Sequence, residues 1–281
     1  MTDAAAAVQR WWAEHPMTYG DVHGESGEAL GSPAFFASVD ERFLEWNRPL
    51  HGSRPFEAIF SYDLYRGARV LEVGCGMGTM ASLWAREGAR VTAVDLNPTA
   101  VTQTRRRFEL LGLDGEIRQA DGRELPFEDG AFDYVWSWGV LHHSPDLGQS
   151  LRELMRVVRP GGGYGLMLYH RRSLLHGYMT RYVEGFLHLE RRFLPEVALA
   201  SRYGDAGREE GNPHTWPVTR PELRAMLAEA GADTRIRVLG TDLDSVLRLM
   251  LPGLGDALPV AVKKPWARRL GWSLWAHGQR R

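Results

Sequence analysis

Residues 70–80 read VLEVGCGMGTM, and this stretch decides the fold. An apolar run of strand length breaks into glycines at 74, 76 and 78. The pattern predicts a buried strand turning sharply into a helix, because glycine lets the backbone take positive φ and approach a ligand without a Cβ in the way. A dinucleotide fingerprint G-x-G-x-x-G would need glycine at 79, where the chain has Thr79. No G-K-[ST] follows, which excludes a phosphate-binding P-loop.

Working outward, short β-rich runs alternate with helical patterns from about residue 69 to 170, the signature of βαβ units and a parallel sheet. The predicted strands are 68–73, 90–95, 116–120, 132–138 and 164–169, with VRPGGG at 158–163 as a turn into the fifth. Asn97–Pro98 reads as an N-cap and first helical position. Leu147, Leu151, Leu154 and Val158 share one helical face. Thr219 and Glu222 form a capping box for a helix ending at Gly231. Two further strands are predicted at 233–240 and 271–278. Residues 1–60, rich in Trp and Phe, read as a helical N-terminal cap on a domain spanning 61–281. Within that domain, residues 171–217 interrupt the sheet where open α/β sheets bind ligands, and read as a partly helical lid.

Two acidic residues stand at strand ends. Asp95 ends the second strand 21 positions after Gly74, where a carboxylate can accept from both hydroxyls of a ribose. Asp121 follows the third strand, where it can accept from an adenine amino group. With these residues in place, the chain resembles the class I S-adenosylmethionine-dependent methyltransferases, in their small-molecule, UbiE-like (type 11) branch. The matching stretches are VLEVGCGMGT, VTAVDLNP, QADGRELPFEDGAFDYVWSWGVLHH and LRELMRVVRPGGG, covering roughly residues 65–170.

The resemblance implies a Rossmann-like, doubly wound α/β fold with a seven-stranded, mostly parallel sheet. It implies S-adenosylmethionine as cofactor, S-adenosylhomocysteine as product, and no metal. Gly74, Cys75, Gly76 and Gly78 would pass beneath the methionine and ribose, and Glu72 would orient the methionine ammonium. Asp95 would hold the ribose with Leu96 against the adenine, and Asp121 with Gly122 would read the adenine edge. Ser137 and Trp138 would border the transferable methyl.

Transfer to a hydroxyl or ammonium needs a general base. His142 and His143 directly follow the fourth strand, and His142 is preferred; Tyr169 and His170 at the end of the fifth strand are a second place for a proton acceptor. Trp11, Trp12, Tyr19, Trp136 and Trp138 are expected to wall an acceptor pocket. Tyr178, Tyr182 and Phe186 recur every four residues and read as a core-packing stripe. Arg171, Arg172, Arg181, Arg191, Arg192 and Arg202 suit a solvated face or an anionic substrate. Residues 262–272, VKKPWARRLGW, fit a loop returning to the last strand or a membrane-surface contact.

Bulk properties narrow the field. Of 281 residues, 44% are hydrophobic and 25% charged, ordinary for a globular protein. A net charge of −1 weighs against bulk nucleic-acid binding. Cys75 is the single cysteine, so no intrachain disulfide forms. His, Cys and carboxylates show no metal-ligand spacing. The N-terminus lacks the pattern of a signal peptide, no long apolar run suggests a membrane span, and a cytoplasmic location is expected. The expected activity is methyl transfer to oxygen or nitrogen of a small molecule. C-methylation of a quinone-like acceptor, or a silent cofactor-binding domain, are the alternatives.

Overall fold

The computed structural model describes residues 3–15, 17–18, 27–203, 211–240, 243–250, 253 and 257–281. Its centre is a seven-stranded sheet in the order β3-β2-β1-β4-β5-β7-β6. The strands are β1 (Arg69–Val73), β2 (Arg90–Asp95), β3 (Glu116–Gln119), β4 (Phe132–Trp138), β5 (Val158–Tyr169), β6 (Ala232–Leu239) and β7 (Ser273–Arg280). β1 to β5 run parallel, while β7 is antiparallel to both β5 and β6. The order reverses between β1 and β4, which opens a crevice at their carboxyl ends.

Local chemistry explains the helices around the sheet. Residues 1–60 contribute α1 (Asp3–Glu14) and α2 (Pro33–Trp46), the latter capped by the Ser32 hydroxyl, which accepts from the Phe35 N–H. α3 (Thr79–Arg86) starts at Gly78, whose φ of +77° makes the turn out of β1. α4 (Pro98–Leu111) is capped by Asn97 accepting from the Thr99 N–H, with proline at its first position. α5 (Leu147–Val157) is capped by Asp146. A π-helical segment (His176–Leu187) and α6 (Glu196–Tyr203) lie between β5 and α7 (Arg220–Glu229). The Thr219/Glu222 capping box starts α7, and Gly231 at φ +83° follows its end. α8 (Leu243–Met250) and α9 (Val260–Leu270) precede β7.

Side chains alternate across the sheet with the two-residue period of a strand. On one face Leu71, Val135 and Leu166 pack against Leu151, Leu154, Leu223 and Leu227 from α5 and α7. Each such buried leucine contributes about 1.5–3 kcal/mol. The other face is aromatic: Tyr134 and Trp136 of β4 meet Phe56, Trp84 and Trp275. An ion pair ties α2 to α4, with α3 joining it. The buried Arg107 guanidinium donates to Asp40 at 2.7 and 2.9 Å, and Thr79 Oγ1 donates to the same carboxylate at 2.7 Å.

Three expectations are corrected. Strand β5 begins at Val158, not 164, because Val158 pairs with Phe132 across a register shift, so the VRPGGG run opens a strand that lies between β4 and β7. Residues 260–270 are helical rather than a loop; Pro265 lies inside α9 at an exposed position. Tyr182 and Phe186 are 48% and 62% exposed, so the 178–182–186 stripe stacks on itself at about 6 Å instead of joining the core. Among the described residues no helix is long and apolar enough to cross a membrane.

Candidate active site

A cavity of about 490 Å³ opens at the carboxyl ends of β1, β2, β4 and β5. Its first wall is the glycine loop. Gly74 takes φ +82°, and a Cβ there would meet Val140 across the cavity mouth. Gly76 takes φ +52° with open space where a Cβ would stand, so no side chain stands between its backbone and the cavity. Gly74, Cys75, Gly76, Leu96 and Gly122 all line the cavity. Gly78 does not; its role is the left-handed cap of α3, where a Cβ would collide with Thr104.

Three carboxylates line this end. Glu72 is buried and its Oε2 has no partner among the described residues. Burial, reinforced by the neighbouring Asp95, pushes its carboxyl well above the usual range. Asp95 accepts from the Gly76 and Asn97 backbone N–H groups, both at 2.9 Å, and burial raises it in spite of them. Asp121 pairs with Arg123 at 2.6 Å; burial works against its ionisation, yet the guanidinium holds it below the ordinary carboxylate range. An orphaned buried carboxylate oxygen, a glycine turn with no side chain in the way and carboxylates at two strand ends suit an ammonium, a ribose diol and an amino-bearing base. This set of acceptors fits an adenosyl-methionine group.

The opposite wall is apolar and aromatic. Trp138 and Tyr169 reach it from β4 and β5, Trp272 from the turn before β7, and Trp12 from α1. Trp138 lines the cavity at the end of β4 and stacks on Trp136, two residues earlier on the same face, at 5.4 Å. Trp136 itself is fully buried in the core and does not reach the cavity, nor does Trp11. Tyr19 lies outside the described residues. Ser137, on the other face, donates its hydroxyl to the Val73 carbonyl at 2.8 Å and does not line the cavity.

The histidine pair separates in the opposite sense to the preferred reading. Leu141–His143 form a 3-10 turn, and His143 lines the cavity while His142 does not. His142 is fully buried with both ring nitrogens unpartnered among the described residues, and stacks on Tyr169 at 3.7 Å. Burial, then the neighbouring His143 and His214, push its pKa well below 6.5, so it stays neutral. Of the second pair, Tyr169 lines the cavity; His170 is buried behind it with Nδ1 3.1 Å from the Gly271 carbonyl.

Several lining residues carry no motif. Val8, Val39, Phe43 and Asn47 come from the N-terminal helices and their flank, and Leu175 and Tyr203 from the segment after β5. Only their aromatic and apolar richness marked those segments in the sequence. None of the six arginines of 171–202 named above lines the cavity. Arg171 pairs with Glu222 at 2.8 Å, and Arg202 lies 3.6 Å from Glu190. Among the described residues no cluster of His, Cys, Asp and Glu could hold a metal.

Comparisons with known proteins agree with this architecture. Residues 71–165 match the family model described as "Methyltransferase domain". The chain is 35% identical over 139 residues to methyltransferase GfsG of Streptomyces halstedii, covering 48% of this chain and 50% of that protein. It is 31% identical over 185 residues to the ubiquinone biosynthesis O-methyltransferase of Xanthomonas euvesicatoria pv. vesicatoria, covering 61% and 77%. The chain thus spans about half the length of several curated relatives it matches. The crystal structure of the [4+2]-cyclase SpnF shares the fold at 18% identity, with a TM-score of 0.56 over 97% of this chain and 95% of that one. With the glycine loop, the strand-end carboxylates and the reversed strand order in one chain, the protein belongs to the class I S-adenosylmethionine-dependent methyltransferases, in their small-molecule branch.

Proposed function

We propose that the chain methylates an oxygen or nitrogen of an uncharged, largely apolar small molecule, with His143 as general base. The observation that carries this reading is a cavity whose described lining brings together three carboxylates, an aromatic group and one histidine. Among the described residues Arg123 is the one permanently cationic side chain lining the cavity, and it is engaged with Asp121. An anionic acceptor would therefore find no unengaged cation there.

Glu72, Asp95 and Asp121 would hold the ammonium, ribose and adenine of S-adenosylmethionine, with Gly74, Cys75 and Gly76 beneath and Leu96 and Gly122 beside the base. When bound, the cofactor supplies an electrophilic methyl on a sulfonium. Trp138, Tyr169 and Trp272 exclude water and hold the acceptor in line, the positioning that gives such a displacement much of its rate. His143 removes the acceptor proton. In this reading residues 1–60 cap the cavity and residues 171–217 act as its lid, each supplying wall residues. The ubiquinone-biosynthesis relative is named an O-methyltransferase, which favours oxygen.

Radiolabelled S-adenosylmethionine incubated with the protein and a cell extract should place label in an organic-soluble product. Label in protein or RNA, or binding by calorimetry without any transfer, would overturn the reading. His143→Ala should lower turnover about 100-fold or more at unchanged cofactor affinity, since general-base catalysis contributes on that order. Unchanged turnover there removes His143 as the base and either moves the proton acceptor to Tyr169 or makes one unnecessary, as for an accepting carbon.

A further inference from the structure

The VKKPWARRLGW run of residues 262–272 is left unused by methyl transfer. Most of it forms α9, and among the described residues of that helix none lines the cavity. The helix holds to the body along one edge. Ala267 sits against Gly240, just after β6, so closely that a Cβ on that glycine would meet it at 2.6 Å. Lys263, partly buried, pairs with Asp244 of α8 at 2.9 Å. All other described side chains of α9 are exposed.

Two features mark the exposed part. Trp266, 41% exposed, has Val262 and Leu270 four residues to either side, and all three form one exposed apolar stripe. Every charged residue of the helix is a cation: Lys263, Lys264, Arg268 and Arg269. Among the described residues no carboxylate pairs with Lys264, Arg268 or Arg269. Arg269, three residues from Trp266, stands beside the stripe. On a helix about 10 Å across, Lys264 and Arg268 lie within roughly one Debye length of the same surface.

These features select the occupant. An indole beside long cationic side chains suits the boundary of a bilayer, where the ring leaves water and the charged heads stay among headgroups. Uniform positive charge favours anionic lipid. A second copy meeting α9 across a two-fold axis would set these cations against themselves.

We propose that α9 is a docking surface for an anionic lipid bilayer, with Val262, Trp266 and Leu270 in the headgroup boundary and Arg269 on a lipid phosphate. The helix ends at Leu270, and Trp272, two residues on, lines the cavity. Docking therefore sets the cavity wall within about 7 Å of chain from the bilayer. That an apolar acceptor enters from the lipid rests on the proposed function; the docking itself does not.

The test is cosedimentation of the full chain with vesicles of phosphatidylcholine alone or mixed with phosphatidylglycerol. The protein should pellet with the mixed vesicles at low salt, less at high salt, and not with the neutral ones. Trp266→Ser should lower the partition about tenfold and Arg269→Gln about fivefold, both with the wild-type thermal midpoint, because these side chains are exposed. Leu64→Ser, at a position 76% exposed in the turn before β1, should leave it unchanged. No pelleting with anionic vesicles, or pelleting unmoved by Trp266→Ser and Arg269→Gln, overturns the proposal. So does an equal loss in Leu64→Ser, which marks general apolar adhesion. A dimer in solution that Trp266→Ser splits, with no vesicle binding, assigns the stripe to a second copy and overturns it as well. Vesicle binding without methyl transfer to any acceptor would instead refute the proposed activity and leave the docking standing.

Discussion

Gly74→Ala is the substitution whose cost follows most directly from the structure. Two penalties combine. At φ +82° an alanine sits in left-handed backbone, at a cost of about 1–2 kcal/mol. The new Cβ would also lie 2.5 Å from Val140 Cγ1 and 2.8 Å from its Cβ, an overpacking that costs about 1–3 kcal/mol. The variant should therefore lose about 2–5 kcal/mol. Only the second part depends on Val140, which is half-buried, so Val140→Ala alone should cost about 1 kcal/mol. In the double variant the Cγ contacts disappear, while the 2.8 Å approach to the remaining Cβ and the backbone strain stay. Denaturant midpoints of the four proteins then give a coupling of about 1–2 kcal/mol, part of the overpacking cost, with the double variant more stable than the two single losses predict. Additivity within about 0.5 kcal/mol would refute the close approach of Gly74 to Val140. A Gly74→Ala protein as stable as wild type would refute the left-handed turn as well.

The remaining predictions concern charge and burial. Asp95→Ala should weaken S-adenosylhomocysteine binding about tenfold or more in calorimetry, since bonds to a charged acceptor contribute about 1.5–3 kcal/mol each; wild-type affinity would remove Asp95 from the ribose site. Asp40→Ala leaves the buried Arg107 guanidinium without its carboxylate and should destabilise by about 3 kcal/mol, the low end for a broken buried pair because Asp40 is one-third exposed. Stability should fall as pH drops below about 6.5, where the unfolded chain takes up a proton that buried His142 refuses. The slope approaches about 1.4 kcal/mol per pH unit for one such histidine. Thermal unfolding of His142→Gln should show a shallower pH dependence from 7 to 5, and an identical slope would place the proton uptake elsewhere.

The sequence alone determined what is local. A left-handed turn needs glycine, a helix start needs Asn97–Pro98 or Thr219/Glu222, and strand ends followed by acids place carboxylates at one rim. These requirements act within a few residues, so they are written in the chain. The reading of β5 and α9 failed for the same reason in reverse: Pro160, Gly161 and Pro265 signal breaks locally. The strand runs through the first two because Val158 and Gly163 on either side of them pair with β4, and the third lies at an exposed position of its helix. Only the tertiary structure decided which of two neighbouring side chains meets the cavity. Ser137 and Trp138 are separated by the alternation of a strand, and His142 and His143 by the direction of one 3-10 turn packed against Tyr169. The contribution of Trp12 and Tyr203 to the same site was equally out of reach, because contacts between residues far apart in the chain depend on how the finished layers pack rather than on any local spacing.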